Sequence, residues 1–202
     1  MITVTREKCI AMQLPESILL LASRYLSSLE HEQQVAQLAL MLFNELLPLH
    51  GLHEDERLLL RCAALLHDIG WVYGQSEHHK SAQRLILETP LPPFDRRQQT
   101  IIALVARYHR KALPQLKHQH YAKLSSADKR LVLVLGGIVR LADGLDRTHR
   151  SLVYELHCEI KPKEIAITCA GEGHANEECA IALEKSDLLQ QAFLRSVTIR
   201  MK

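Results

Sequence analysis

The sequence predicts a mainly α-helical domain over residues 1–150 followed by a small α/β appendage over residues 151–202. Three observations lead there. Apolar residues recur at spacings of three and four through most of the first 150 residues, as on helices that bury one face. Beyond residue 150 the period changes to two, as on half-buried strands. With 202 residues, 47% hydrophobic and 24% charged, the chain has enough apolar material for a real core, and its length suits one domain with or without an appendage.

In "HEQQVAQLALMLFNEL" the residues Val35, Leu38, Leu42 and Leu46 form one helical stripe, and His31 lies on it four residues before Val35. The next helix, about 54 to 69, is apolar on nearly every side through Leu58, Leu59, Cys62, Leu65, Leu66 and Ile69, with Gly70 as its expected stop. Such a helix belongs at the centre. A loop with Gly74 leads to the shorter helix "HHKSAQRLILE", ended by "TPLPP". Asp95 is then the expected N-cap of "RRQQTIIALVARYHRKAL", a helix running to Pro114 with Ile102, Val105 and His109 on one face. "LKHQHYAKL" reads as a loop, and "SSAD" at 125–128 as a capping box opening a long buried helix to about residue 148. On that helix Val132, Gly136, Val139 and Asp143 line up, and Gly136–Gly137 permits a close crossing. "SLVYELHCEI" and "EIAITC", joined by "KPK", form a hairpin; a helix from about 177 to 194 and the strand "SVTIR" complete the appendage. No internal repeat or low-complexity linker is present.

A net charge of +2 on 25 basic and 23 acidic residues gives no reason to expect nucleic acid or an anionic membrane as partner. Cys9, Cys62, Cys158, Cys169 and Cys179 are odd in number and without CxxC spacing, which speaks against a disulfide framework or a thiolate zinc site. Reduced thiols and a cytoplasmic location are the expectation. The N-terminal residues lack the pattern of a secretion signal. The longest apolar run, "LVLVLGGIV", is far short of the ~20 residues that span a bilayer.

Four helices deliver ionisable residues to their buried sides: His31, the pair His67 and Asp68, His109, and Asp143. Each has an ordinary reading. A lone inward histidine is more often a hydrogen-bonded core residue. His67–Asp68 alone reads equally as a helix-end ion pair, and Asp143 is placed to bond Arg147 one turn on. The coincidence of all of them favours a metal ion. A carboxylate at a helix C-terminus faces the negative end of the macrodipole, so Asp68 is expected to be strained unless a cation sits beside it. Mixed imidazole and carboxylate ligands suit zinc, manganese, iron, cobalt or nickel.

The order H…HD…H…H…D resembles that of the HD superfamily of metal-dependent phosphohydrolases. The stretches "EHEQQVAQLALMLFNEL", "LLRCAALLHDIG", "HHKSAQRLI", "LVARYHRKALP" and "RLADGLDRTH" are similar to the C-terminal half of the exopolyphosphatase/guanosine pentaphosphate phosphatase family, and the similarity covers nearly the whole chain. The resemblance implies an HD-type helical domain holding one or two divalent ions (Mn, Zn, Fe, Co, Ni or Mg). It implies ligands at His31, His67, Asp68 and Asp143, with His78 and His109 completing a second metal position. Lys80 stands where many relatives have another histidine, which leaves His79 as a spare. In full-length relatives polyphosphate hydrolysis is attributed to actin-like ATPase-type domains that this sequence does not contain, so that route is expected to be absent. The remaining chemistry is metal-assisted attack of water on a small phosphorylated metabolite or nucleotide, with Asp68 in the centre and Arg110, Lys111 and Arg147 neutralising phosphate charge. The alternatives are a non-catalytic metal- or nucleotide-binding module, which leaves a homodimer open, and a di-iron oxygenase using the same ligand set.

Overall fold

The computed structural model describes residues 13–173 and 175–202; Cys9 and most of the N-terminal stretch inspected for a signal lie outside them. The helical part comprises α1 (Glu16–Tyr25), α2 (Glu30–Glu45), the single turn α3 (Leu47–His50), α4 (Glu54–Leu66), a 3-10 segment (Ile69–Tyr73), α5 (His78–Glu88), α6 (Arg96–Arg107), α7 (Gln119–Ala122) and α8 (Ser126–Gly144). The order then continues β1 (Val153–Ile160), β2 (Glu164–Gly171), α9 (Asn176–Glu184), α10 (Asp187–Phe193) and β3 (Ser196–Met201). The mainly α class with a small α/β portion is therefore as the change of period predicts.

The core forms where the apolar stripes meet. Val35, Leu38, Leu42 and Leu46 are buried with His31, and α4 is buried on all sides from Cys62 onward. The second half of α8 is equally enclosed, so the two helices share the centre. Asp95 caps α6 in a reciprocal box with Gln98. Ser125 accepts the Asp128 N–H, but the Asp128 carboxylate turns to Arg97 rather than closing a box.

Five expectations need correction. Helix α4 ends at Leu66, and Gly70 falls inside the 3-10 segment instead of stopping the helix. Its lack of a side chain serves packing: a Cβ there would lie 2.0 Å from the His78 carbonyl oxygen and 2.6 Å from the Ala82 nitrogen. Helix α6 stops at Arg107, short of Pro114, because the His109 ring takes the Ala106 carbonyl and Lys111 turns left-handed at φ 55°. The 116–124 stretch holds the short helix α7 rather than a plain loop. The helix expected over 177–194 is two helices broken at Lys185–Ser186, where the Ser186 hydroxyl donates to the Leu183 carbonyl. Likewise α8 ends at Gly144, earlier than residue 148.

β1 pairs antiparallel with β2, and β3 adds to β2 in parallel, in the order β1-β2-β3. The sheet is tied to the helices at both ends of β1: Gln34 donates to the Val153 carbonyl and the Cys158 N–H donates to Glu45. On the other side α9 and α10 lie against α8. A Cβ at Gly137 would be 2.8 Å from the Leu189 Cα, and one at Gly144 would be 2.6 Å from the Ala182 Cα. The close crossing expected at Gly136–Gly137 is thus made with the C-terminal helices. Gly137→Ala is expected to cost about 1–3 kcal/mol by forcing backbone apart, measured as a lower denaturant midpoint at unchanged m; an unchanged midpoint would remove this account of the crossing.

Candidate metal centre

The ends of four core elements converge on one buried cluster. His67 is the C-cap of α4, Asp68 follows it, His78 opens α5, and His109 lies in the turn after α6. These three histidines share one local device. Each Nδ1 lies within hydrogen-bonding distance of the carbonyl three residues earlier: Ala64 at 2.7 Å, Gln75 at 2.8 Å and Ala106 at 2.6 Å. With Nδ1–H donating there, each ring presents Nε2 as a lone pair toward the cluster. His31, on α2, does the same through Asp146, whose Oδ2 is 2.8 Å from its Nδ1. A second partner that fixes tautomer and ring direction is the usual support of a metal-ligating histidine.

The inward atoms are close together. Asp143 Oδ1 is 3.4 Å from His31 Nε2 and 3.7 Å from His67 Nε2; Asp68 Oδ1 is 3.1 Å from His78 Nε2 and 3.5 Å from His109 Nε2. Asp68 Oδ2 is 3.6 Å from His67 Nε2 and accepts the Trp71 indole N–H at 2.8 Å. The Nε2 atoms of His78 and His109 face each other at 3.2 Å. His31 Nε2, His67 Nε2 and Asp68 Oδ1 are buried without a hydrogen-bond partner. Acceptors massed in this way repel unless a cation stands among them, so the donor set fits a metal ion. Two triads have ligand geometry, His31–His67–Asp143 and His67–Asp68–His109. One imidazole nitrogen has one lone pair, so His67 could hold only a single ion, and the two Asp68 oxygens face different histidines.

Without metal, protons fill the role. Burial alone would lower His31, but the adjacent carboxylates of Asp143 and Asp146 raise it to about 10; burial likewise opposes His67, which Asp68 and Asp143 raise. Burial pushes Asp68 up, yet His67, His78 and His109 outweigh it and hold the carboxyl well below the usual range. The strain expected of Asp68 in the metal-free protein is therefore offset by the histidines around it, His67 first among them. His109 goes the other way, lowered by burial and by His67.

The structure also shows what local pattern did not. Asp143 bonds Lys185, from the α9–α10 break, rather than Arg147. Asp146 is fully buried, takes His31 on one oxygen and the Ser151 N–H on the other, and its spacing of three from Asp143 was a readable signal. Glu178 accepts the Arg147 and Thr148 N–H groups, while the Arg147 side chain joins Arg110 and Lys111 in lining a cleft above the cluster. His79 is buried but lies outside both triads, and Lys80 pairs with Glu77. Cys62, Cys158, Cys169 and Cys179 are buried free thiols. Among the described residues no helix is long and apolar enough to cross a membrane.

Comparison with known proteins agrees with this architecture. The profile of Ppx/GppA phosphatase, domain III, matches residues 15–192. A guanosine-5'-triphosphate,3'-diphosphate pyrophosphatase of Vibrio vulnificus (strain YJ016) is 32% identical over 114 residues, which cover 56% of this chain and 23% of that protein. The match thus spans under a quarter of that relative's length. Because the family profile covers the core helices, every residue of the buried cluster and most of the C-terminal portion, the chain belongs to the Ppx/GppA phosphatase domain III family.

Proposed function

We propose that the buried cluster is a divalent-metal centre of the HD type, and that the chain is a metal-dependent phosphohydrolase acting on a small phosphorylated metabolite or nucleotide. The observation that carries this is the convergence of four histidine Nε2 atoms and two aspartates, three of whose inward atoms have no partner. His31, His67, Asp68 and Asp143 would hold one ion, and His78, His109 and a bridging Asp68 a second. A bound divalent ion supplies water made acidic enough to attack near neutral pH and polarises a phosphoryl oxygen. The chain's own residues do the rest. Arg110, Lys111 and Arg147 line the cleft over the cluster and are placed to hold phosphate oxygens. Trp71 fixes Asp68 by donating to Oδ2, which leaves Oδ1 turned to His78 and His109.

A non-catalytic binding module is the second reading, and one observation favours it: Lys185 ties up an oxygen of Asp143 that a ligand set would otherwise use. A phosphate-release screen over nucleotides and phosphomonoesters, with chelator or with added Mn²⁺, Zn²⁺, Co²⁺ or Ni²⁺, separates the two. Metal-dependent turnover of a small substrate is expected, without processive digestion of long polyphosphate. No turnover with any metal would leave the binding module, and iron-dependent oxygen consumption would point to an oxygenase.

A further inference from the structure

The cleft over the cluster has two compartments that meet at Asp68, Trp71 and His149, and their chemistry is unlike. The smaller, about 270 Å³, is bordered by Arg110, Lys111, Arg140, Arg147 and Lys185. The larger, about 410 Å³, is bordered by Tyr25, Leu26, Ser27, Ser28 and Glu30, with Glu32 behind them. Among the described residues no lysine or arginine lines the larger one. All the lysines and arginines of the cleft therefore border the smaller compartment, where Asp143 and Glu184 stand among them, whereas Glu30, Glu32, Ser27, Ser28 and Tyr25 border the larger one together with His31.

We propose, resting on the hydrolase reading above, that the larger compartment is a leaving-group subsite for an uncharged alcohol carrying a planar ring. The substrate class is then a phosphomonoester of such an alcohol, a nucleoside monophosphate being the type, and not a condensed phosphate. Charge is the first reason. A condensed phosphate is anionic along its whole length, so one end would have to sit beside the Glu30 carboxylate and the buried Glu32 with no lysine or arginine to offset them. A monoester is anionic at one end only, and that end fits the basic compartment.

The second reason is the wall between the compartments. Trp71 stacks one side on His78, with ring centroids 4.8 Å apart and 16° between planes, yet stays 38% exposed and borders both compartments. Tyr25 adds a second ring to the larger compartment. Aromatic side chains of this kind hold flat rings by stacking with little demand on ring identity. His149 completes the junction. It has a left-handed backbone at φ 56°, uncommon outside glycine, and its ring lies flat on His31 at 3.7 Å and 2°. Asp146 holds that turn, accepting the His149 N–H on its carbonyl and the Ser151 N–H on its carboxylate. Surroundings that impose such a conformation on an exposed side chain commonly serve a site. Ser27 and Ser28 supply hydroxyls for a polar ring or sugar.

In the reaction the oxygen of water bonds to phosphorus and the bond from phosphorus to the alcohol oxygen breaks. The alcohol leaves with a proton, and the products are the free alcohol and inorganic phosphate. The test compares wild type with Ser27→Arg, which adds a cation to the larger compartment and touches no histidine, aspartate or Trp71. With Mn²⁺-loaded protein, kcat/KM for a nucleoside 5'-monophosphate is expected to exceed that for inorganic tripolyphosphate by at least ~10-fold, and the substitution to narrow that ratio mainly through KM. Independently, Trp71 is the single tryptophan, so its fluorescence reports the junction alone. Unphosphorylated nucleoside should change it saturably, also with inorganic phosphate already present, and more weakly in Ser27→Arg. Equal turnover of tripolyphosphate, or an unaltered ratio in the variant, would overturn the subsite and leave the hydrolase reading standing. Absence of all turnover would instead defeat the hydrolase reading; the fluorescence titration then decides the subsite, and no response to nucleoside overturns it.

Discussion

His67→Ala protein purified without chelator is expected to carry at least one ion fewer than wild type, for which one or two ions per chain are expected. His67 is the one residue common to both candidate triads, so its loss leaves each with two ligands. Outer-shell changes alone typically weaken metal sites by 10–100-fold, and removal of a ligand nitrogen at the junction should exceed ~100-fold. His67 is fully buried, so the fold of the variant must be checked by circular dichroism before its metal content is interpreted. His79→Ala is the matched control, because His79 is a buried neighbour of His78 that belongs to neither triad. Elemental analysis and calorimetric titration with Mn²⁺ decide the matter. Equal metal in wild type and both variants would mean the cluster is a proton-bridged core network.

Asp68→Asn should show the second large effect, in thermal scans with metal and with chelator. Metal at one hundred times its dissociation constant adds about 2.7 kcal/mol, and in a domain of this size each kcal/mol moves Tm by roughly 2–4 °C. Wild type is therefore expected to melt about 5–10 °C higher with metal, on two-state behaviour, and the variant to lose most of that rise. In chelator the variant should also melt below wild type. Asp68 is buried among three histidines, and breaking a buried charged pair typically costs about 3–5 kcal/mol, reduced here because asparagine still accepts from Trp71.

The same scans have a pH signature. The folded protein raises His31 from 6.5 to about 10, so its contribution is complete below pH 6.5 and is lost as the pH rises toward 10. Asp68 is held low, so its contribution is present above the ordinary carboxylate range and lost as the pH falls through it. Protons on His31 and His67 compete with metal at the same lone pairs. Metal-induced stabilisation should accordingly grow between pH 6.5 and pH 8.5. A rise independent of pH, kept in full by Asp68→Asn, would identify Asp68 as an ordinary helix-end residue.

Hydrophobic patterning along the chain is enough for the helical core, the appendage and the inward turn of His31, His67, Asp68, His109 and Asp143. A period of three to four carries that information locally: His31 rides the Val35–Leu42 stripe, and His67 and Asp68 end an apolar helix whose burial leaves them nowhere else to go. His78, His109 and Asp143 come to the same cluster from separate elements; the helical period already turned His109 and Asp143 inward, whereas His78 was implied only by the family resemblance. The ends of elements were less legible. Whether α6 continues past Arg107 depends on the His109 ring claiming the Ala106 carbonyl, and whether the last helix breaks at Lys185 depends on how closely Gly137 and Gly144 let it approach.

Only the tertiary structure decided the charge state and the shape of the cleft. Lys185 reaches Asp143 across 42 residues and His31 reaches Asp146 across 115, separations at which no local period leaves a trace. Trp71 and His149 have ordinary neighbours in sequence, and they come together only because the 3-10 segment and the turn after α8 meet over the same buried cluster. Hydrophobic patterning acts residue by residue along one element, so it fixes which side of each helix faces in. The meeting of charges depends on how the helices then pack, and that is settled by backbone approach at a few glycines and by side chains that are neighbours only in space.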